Sequence, residues 1–290
     1  MNVSQFRSLV GQMADRPTAE GKTKGVYPHK GDSGLVFIRN RDGITIGDGA
    51  HGWTIPGKGV IVTAINTRIM TLLNAAGLST HFICQVDPDT FLAKRAVTKF
   101  LLEIVVRHEA QRGSSYLRRH PGIPEGTVFD SAIVELFWKD DASHDALIHW
   151  NPERGAFELH KAKMPFGEGY IQDFNPDLAT MPADETEFAA VFQLAGQAAD
   201  LVRRTFRVYS YNIPDGKIEV GRDAEGNVMI IDVYDCESFR ISNPSGVEIS
   251  KEVLRQRITS GQRVTPAFLR RVLANYAEVA AISAFLQLPI

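Results

Sequence analysis

Apolar residues change their period along this chain of 290 residues, and the order of those changes decides the fold class. Helical spacing occurs in three stretches. Ile61, Ile65, Ile69, Leu72, Leu73 and Ala76 share one stripe, with Gly77 at the C-cap position. Phe188, Val191, Ala195, Ala198, Val202 and Phe206 share a second, opened by Asp184 and Glu187 in the spacing of a capping box. Leu269, Val272, Tyr276, Val279 and Leu286 form a third, opened by Thr265-Pro266. Short apolar runs at 35–38, 44–46, 100–107 and 132–138 read as strands. Residues 217–221 and 228–233 read as a hairpin around Asp223-Ala224-Glu225-Gly226-Asn227. Strands and helices are mixed without a strict βαβ repeat, which points to an α+β (mixed α/β) fold. The expected division is a smaller β-rich domain over 1–100, with a glycine loop and one helix, and a larger α/β domain over 101–290 that ends in a helix.

Apolar residues make up 44% and charged residues 23%, so the chain is neither disordered nor fibrous. A net charge of −2 gives no global field toward nucleic acid or an anionic membrane. Two cysteines, Cys84 and Cys236, argue against a disulfide framework and for a reducing compartment. Residues 1–7 lack the apolar core of a signal peptide, and the apolar window 60–78 contains Asn66, Arg68 and Asn74, which argues against a membrane span. The expectation is a cytoplasmic protein acting on small molecules, with neither nucleic acid nor membrane as partner; a homo-oligomer is compatible with the sequence.

Two glycine motifs are misleading. Gly47-Asp48-Gly49-Ala50-His51-Gly52 spells a dinucleotide fingerprint, but Trp53-Thr54-Ile55-Pro56-Gly57 follows it where a helix must begin. Gly52 to Gly57-Lys58 nearly spells a phosphate loop, but Gly59 stands where a magnesium-binding hydroxyl is needed. Both read better as one glycine loop.

Four other segments carry chemistry. Lys22 and Lys24 alternate around Thr23 beside glycines, which on an extended strand puts both ammonium groups on one face, suited to phosphates. Arg107 ends a strand before Gly113-Ser114-Ser115, a turn whose amides and hydroxyls can cradle a phosphate. Lys139-Asp140-Asp141-Ala142-Ser143-His144-Asp145 clusters polar groups at a strand end. Asp215-Gly216-Lys217-Ile218-Glu219 and Asp232 lie on the hairpin; a midpoint of 225.5, inside the turn at 223–227, places Glu219 opposite Asp232 as a carboxylate pair for Mg²⁺. Each segment alone also reads as solvated surface or a capped turn.

In this order the segments resemble the SAICAR synthetase (phosphoribosylaminoimidazole-succinocarboxamide synthase) family over about residues 20–255. The marks are Gly21-Lys22-Thr23-Lys24, Lys58-Gly59, Val105-Val106-Arg107 with its Gly-Ser turn, the 139–145 segment, the 215–221 strand, and the 232–240 segment; Ile249 to Arg255 resembles a later Asp-Lys-x-x-x-Arg stretch. The resemblance implies a two-domain, kinase-like or ATP-grasp-like fold with ATP between the domains. It also implies a ligase that phosphorylates a ribonucleotide carboxylate with ATP and couples it to aspartate or a similar amine. Carried over residue by residue, Lys22, Lys24 and Lys139 would hold ATP, and Glu219 and Asp232 would hold Mg²⁺. Arg107, Ser114 and Arg240 would hold the ribonucleotide phosphate, with His144, Asp145 and Arg255 on the substrate side. Lys217, with Asp215, would act at the reacting carboxylate.

The chain also departs from the family pattern. Val233 replaces an acid, Gly216 a Phe, Phe239 a Ser, His108 an Asn and Ser250 an Asp, and Arg112 looks like an insertion in the phosphate turn. Two alternatives therefore stay open: a paralogue joining another carboxylate to another amine in a specialised nucleoside pathway, and a nucleotide-binding protein without ligase activity. On the ligase reading Phe239 is expected to present an aromatic face to the substrate pocket.

Overall fold

The computed structural model describes residues 9–47, 49–166, 168–174, 180–182 and 184–288; the start of the chain, on which the signal-peptide reading rests, and Asp48 of the glycine loop lie outside the described residues. The fold is mixed α+β. By contacts the chain forms two compact units, one of Met1–Ala96, Arg204–Asn212 and Val233–Ile290, the other of Val97–Arg203 and Ile213–Asp232. The first boundary falls near residue 100, but residues 233–290 group with the N-terminal unit, whereas a contiguous 1–100 and 101–290 division would assign them to the second domain. Among the described residues, no helix is long and apolar enough to cross a membrane.

The first unit carries a five-stranded antiparallel sheet in the order β1 (Ala19–Glu20), β2 (Lys24–Pro28), β3 (Leu35–Asn40), β7 (Thr90–Lys94), β6 (Phe82–Asp87). Tyr27, Phe37, Val86 and Leu92 form a buried cluster on it. A separate ribbon pairs β4 (Gly43–Ile46) with β5 (His51–Thr54), so the glycine loop is a hairpin, with a second strand where only loop was expected. Gly43 is required: a Cβ there would overlap the Lys22 carbonyl oxygen, so the ribbon lies directly against the Lys22 backbone. Helix α1 (Lys58–Ala75) buries Ile65, Ile69, Leu72 and Leu73 of the expected stripe and adds Val62, while Ile61 is half-buried and Ala76 exposed. Its second residue, Gly59, admits the Asn40 carbonyl oxygen 2.8 Å from where a Cβ would stand.

The second unit is built on a larger antiparallel sheet, in the order β13 (Tyr170–Asp173), β12 (Ala156–His160), β11 (Leu147–Asn151), β10 (Val128–Trp138), β9 (Leu102–Glu109), β14 (Asp215–Arg222), β15 (Val228–Ile231), with β8 (Thr98–Lys99) also pairing β14. A short helix, α2 (Ser115–Arg119), interrupts the stretch 112–126 expected as basic loop. The long helix α3 (Glu185–Arg207) starts where Asp184 Oδ1 accepts from Glu187 N at 2.9 Å. In the first unit, α4 (Glu252–Thr259) precedes α5 (Pro266–Ser283), which opens with Thr265 Oγ1 accepting from Phe268 N at 3.2 Å.

Candidate active site

Strands β9 and β14 bring the candidate residues of the second unit together. Their antiparallel register sets Lys217 against Val105 and Asp215 against Arg107. Period-two alternation then puts Asp215, Lys217 and Glu219 on one face of β14. Glu219 is buried, with its side chain only 4% exposed. Lys139 Nζ donates to its Oε1 at 2.7 Å and Lys217 Nζ at 3.2 Å, while Lys99 Nζ lies 2.7 Å from Oε2. Glu103 faces Lys217 at 3.4 Å. Burial alone would push the Glu219 carboxyl up, but Lys217, Lys99 and Lys139 outweigh it and hold it well below the usual carboxylate range. Burial likewise opposes the charge on Lys217, yet Glu103 and Glu219 raise its pKa, so Lys217 is an ammonium ion at neutral pH and an electrostatic group rather than a base.

The hairpin arithmetic is corrected by one residue. Glu219 pairs with Ile231, not Asp232, and Arg222 with Val228. The cause is the turn. Asp223 N donates to Asn227 O at 3.0 Å, and Asp223 Oδ1 accepts from Glu225 N and Asn227 N, closing a loop of odd length centred on Glu225. A one-residue shift exchanges the faces of a strand. Asp232 follows the last residue of β15 and leaves the strand with φ 67°. His144 and Asp145, φ 53° and 52°, share that left-handed backbone; with Ser210 these are the non-glycine positive-φ residues among those described. Such conformations cost of order 1–3 kcal/mol each and concentrate at functional sites.

The donor chemistry at this site suits Mg²⁺. Glu219 and Asp232 offer hard carboxylate oxygens, and among the described residues no group of three His, Cys, Asp or Glu forms a closed metal cage. A nucleotide-borne Mg²⁺ needs only one or two carboxylates, with phosphate and water oxygens completing its shell.

Arg107 is buried. Its Nε donates to Glu135 Oε2 at 2.5 Å, Nη1 to Asp215 Oδ2 at 3.4 Å and Nη2 to Ser115 Oγ at 3.0 Å. Arg119 donates to the other oxygen of Glu135. The hydroxyl that meets Arg107 is therefore that of Ser115, while Ser114 Oγ caps α2 by accepting from Leu117 N at 3.4 Å.

The remaining candidates belong to the first unit. Lys24 lies on β2, but Lys22 precedes the strand, in the turn closed by Gly21 N donating to Lys24 O at 2.8 Å, so the two lysines do not share one extended face. Lys22 is exposed and its Nζ donates to Gly49 O at 3.0 Å, tying the turn to the glycine hairpin. Arg240 Nε lies 3.3 Å from Glu252 Oε2, and Arg255 pairs with the same oxygen, so one carboxylate gathers two of the expected substrate arginines. Phe239 does not present an exposed aromatic face. It is buried, with ring centroids 5.3 Å from Tyr234 and 6.1 Å from Phe206, and belongs to the core.

Sequence reasoning missed Lys99, Glu103 and Glu135, and the buried ion pair of Lys58 Nζ with Glu237 Oε1 at 2.8 Å. Glu135 carried a local signal, a charge inside the apolar run 132–138. Lys99 carried none, because it meets Glu219 only through the non-local pairing of β8 with β14.

Comparison with known proteins identifies the family. The SAICAR synthetase family profile matches residues 17–272. Phosphoribosylaminoimidazole-succinocarboxamide synthase of Herpetosiphon aurantiacus is 35% identical over 265 residues, covering 91% of this chain and 96% of the relative. The enzyme of that name from Roseiflexus castenholzii is 36% identical, covering 90% and 93%. A solved SAICAR synthetase in complex with ADP shares the fold, with a TM-score of 0.72 at 22% identity, over 94% of this chain and 99% of its own. On its fold, its matched length and its relatives, this chain belongs to the SAICAR synthetase family.

Proposed function

We propose that this chain is a cytoplasmic ATP-dependent ligase that joins carboxyaminoimidazole ribonucleotide to L-aspartate, giving SAICAR, ADP and phosphate. The observation that carries the reading is the β14 face, where a buried carboxylate, Glu219, is held among Lys139, Lys217 and Lys99. A carboxylate oxygen of the ribonucleotide attacks the γ-phosphorus of ATP, and the bond to the ADP oxygen breaks. The aspartate amine then attacks the acyl carbon, phosphate leaves with that carboxylate oxygen, and the amine gives up a proton. No protein nucleophile is required; positioning and charge neutralisation lower the barrier.

In this reading Lys217, charged at neutral pH, neutralises the transferring phosphoryl and the reacting carboxylate, and Lys22, Lys24 and Lys139 hold the ATP phosphates. Glu219 and Asp232 would hold Mg²⁺, which when bound would neutralise charge on the β- and γ-phosphate oxygens. Asp215 and Glu135 orient Arg107, a fixed cation for the ribonucleotide phosphate, in a strand-end turn that also presents Ser114 and Ser115. Arg240 and Arg255, gathered by Glu252, serve the substrate side, and His144 and Asp145 the amine. Because Phe239 is part of the core, its replacement of a family Ser supplies no argument for an altered substrate.

The test is ADP release with each reactant omitted in turn. Release that needs the ribonucleotide, aspartate and ATP together supports the reading; turnover with another carboxylate or amine in their place moves the chain to a paralogous ligase, and nucleotide binding without turnover to a non-catalytic protein. Glu219→Gln and Asp232→Asn should each abolish release while the thermal melt stays cooperative.

A further inference from the structure

The proposed reading leaves Lys99 without a role, although its ammonium is one of three around Glu219. Lys99 stands opposite Gly221 in the β8–β14 pairing, so Glu219, two residues along, is its diagonal neighbour on the same face. Its side chain is 51% exposed, against 4% for Glu219. Each partner has its own oxygen: Lys139 and Lys217 share Oε1, and Lys99 faces Oε2 at 2.7 Å. Oε2 is otherwise buried and accepts no well-aligned hydrogen bond. Among the described ion pairs of Glu219 and Glu103, three ammonium groups meet two carboxylates, so these five groups together carry one positive charge in excess.

A metal ligand whose outer oxygen is already neutralised by an ammonium group is a poor site for a free cation. An excess of positive charge beside it is a good site for a polyphosphate. Lysine suits an exchange between the two, since its compact charge rides on a flexible four-carbon stem and its pairing geometry is undemanding.

We propose that Lys99 is a positioning residue of the nucleotide site: its ammonium holds Glu219 Oε2 while no nucleotide is bound, and moves onto the nucleotide's phosphates when a divalent cation takes that oxygen. This inference rests on the ligase reading above. Its consequence is coupling: the cation and the nucleotide each strengthen the other's binding, by the same factor in both directions.

The experiment uses the full chain and two probes, Mn²⁺ alone followed by electron paramagnetic resonance, and ADP followed by calorimetry with and without Mn²⁺. In wild type, Mn²⁺ should bind more tightly with ADP present than without. Lys99→Met should bind Mn²⁺ alone more tightly, and ADP in the presence of Mn²⁺ more weakly, each by about threefold or more, the scale of one half-exposed ion pair. Lys99→Arg should restore both values toward wild type, and Lys99→Gln should repeat the Met result in a side chain of similar length that stays polar. If either affinity is unchanged in both neutral variants, or if Mn²⁺ alone binds more weakly, Lys99 does not act in this way, and the ligase reading stands. If wild type binds no ADP even with Mn²⁺, the ligase reading falls and this inference with it.

Discussion

Arg107 and Glu219 of the second unit and Lys22 of the first are held in opposite ways. In the second unit Arg107 and Glu219 sit on neighbouring strands of one sheet, buried and ion-paired, with Glu135 and Asp215 fixing the first and three lysines facing the second. In the first unit Lys22 stands exposed in a turn, held by one bond to a glycine-hairpin carbonyl. A buried charge network is rigid before any ligand arrives, and breaking it leaves a charge stranded in low dielectric. An exposed lysine on a turn is free to follow a phosphate, and its loss strands nothing. Substitutions in the second unit should therefore damage stability and function together, and those at Lys22 function alone.

The largest effect is expected at Glu135. Glu135→Ala leaves Arg107 and Arg119 without their shared carboxylate, at a cost of about 3–5 kcal/mol in chemical denaturation. A loss under about 1 kcal/mol would erase the contrast between the units. Next is Phe239, which tests whether the first unit's own core is as sensitive as that network. Phe239→Ala should cost about 3 kcal/mol, because it removes a buried ring packed on Phe206 and Tyr234. A neutral result with changed substrate affinity would return Phe239 to the pocket.

A smaller effect is common to both units. Burial, helped by Lys24, lowers the His81 pKa to about 3, and burial, helped by Arg203, lowers that of His108 to about 4. Both stay neutral in the folded chain at pH values where the unfolded chain binds a proton, so their contribution is present above about 6.5 and is lost as pH falls toward 4. Asp235 opposes this: burial and Glu237 push its carboxyl up to about 6, so its contribution weakens stability as pH rises from 3.8 to 6. Urea midpoints at pH 7.5 and 5 should differ less in His81→Phe than in wild type; an unchanged difference would remove His81 from the acid response. The smallest stability change belongs to Lys22→Ala, within about 0.5 kcal/mol of wild type. The same variant should raise the apparent KM for ATP and lower kcat, since a phosphoryl contact strengthens in the transition state. Unchanged ATP kinetics would make Lys22 a surface residue.

What could be read from the sequence was local. Asp184 with Glu187, and Thr265 with Pro266, marked helix starts because capping is settled within four residues. The 223–227 turn marked a hairpin, but its register depended on how Asp223 folds back onto Glu225 and Asn227, which decided between an even and an odd loop and moved Asp232 out of line with Glu219. Lys22 read as part of an extended strand because alternation cannot distinguish a strand from the turn before it. Lys99 was invisible because nothing near residue 99 announces a partner 120 positions away. Phe239 reads as pocket lining because the family pattern has a Ser at its place, whereas Phe206 and Tyr234 pack against its ring and bury it.

The most direct test of the account follows an oxygen atom. Carboxyaminoimidazole ribonucleotide labelled with ¹⁸O in its carboxylate is incubated with ATP, L-aspartate, Mg²⁺ and the enzyme, and both products are weighed by mass spectrometry. An acyl phosphate route predicts SAICAR in equal amount to ADP, with one ¹⁸O carried into the released phosphate and one kept in the amide. Unlabelled phosphate, or ADP release without SAICAR, would contradict it.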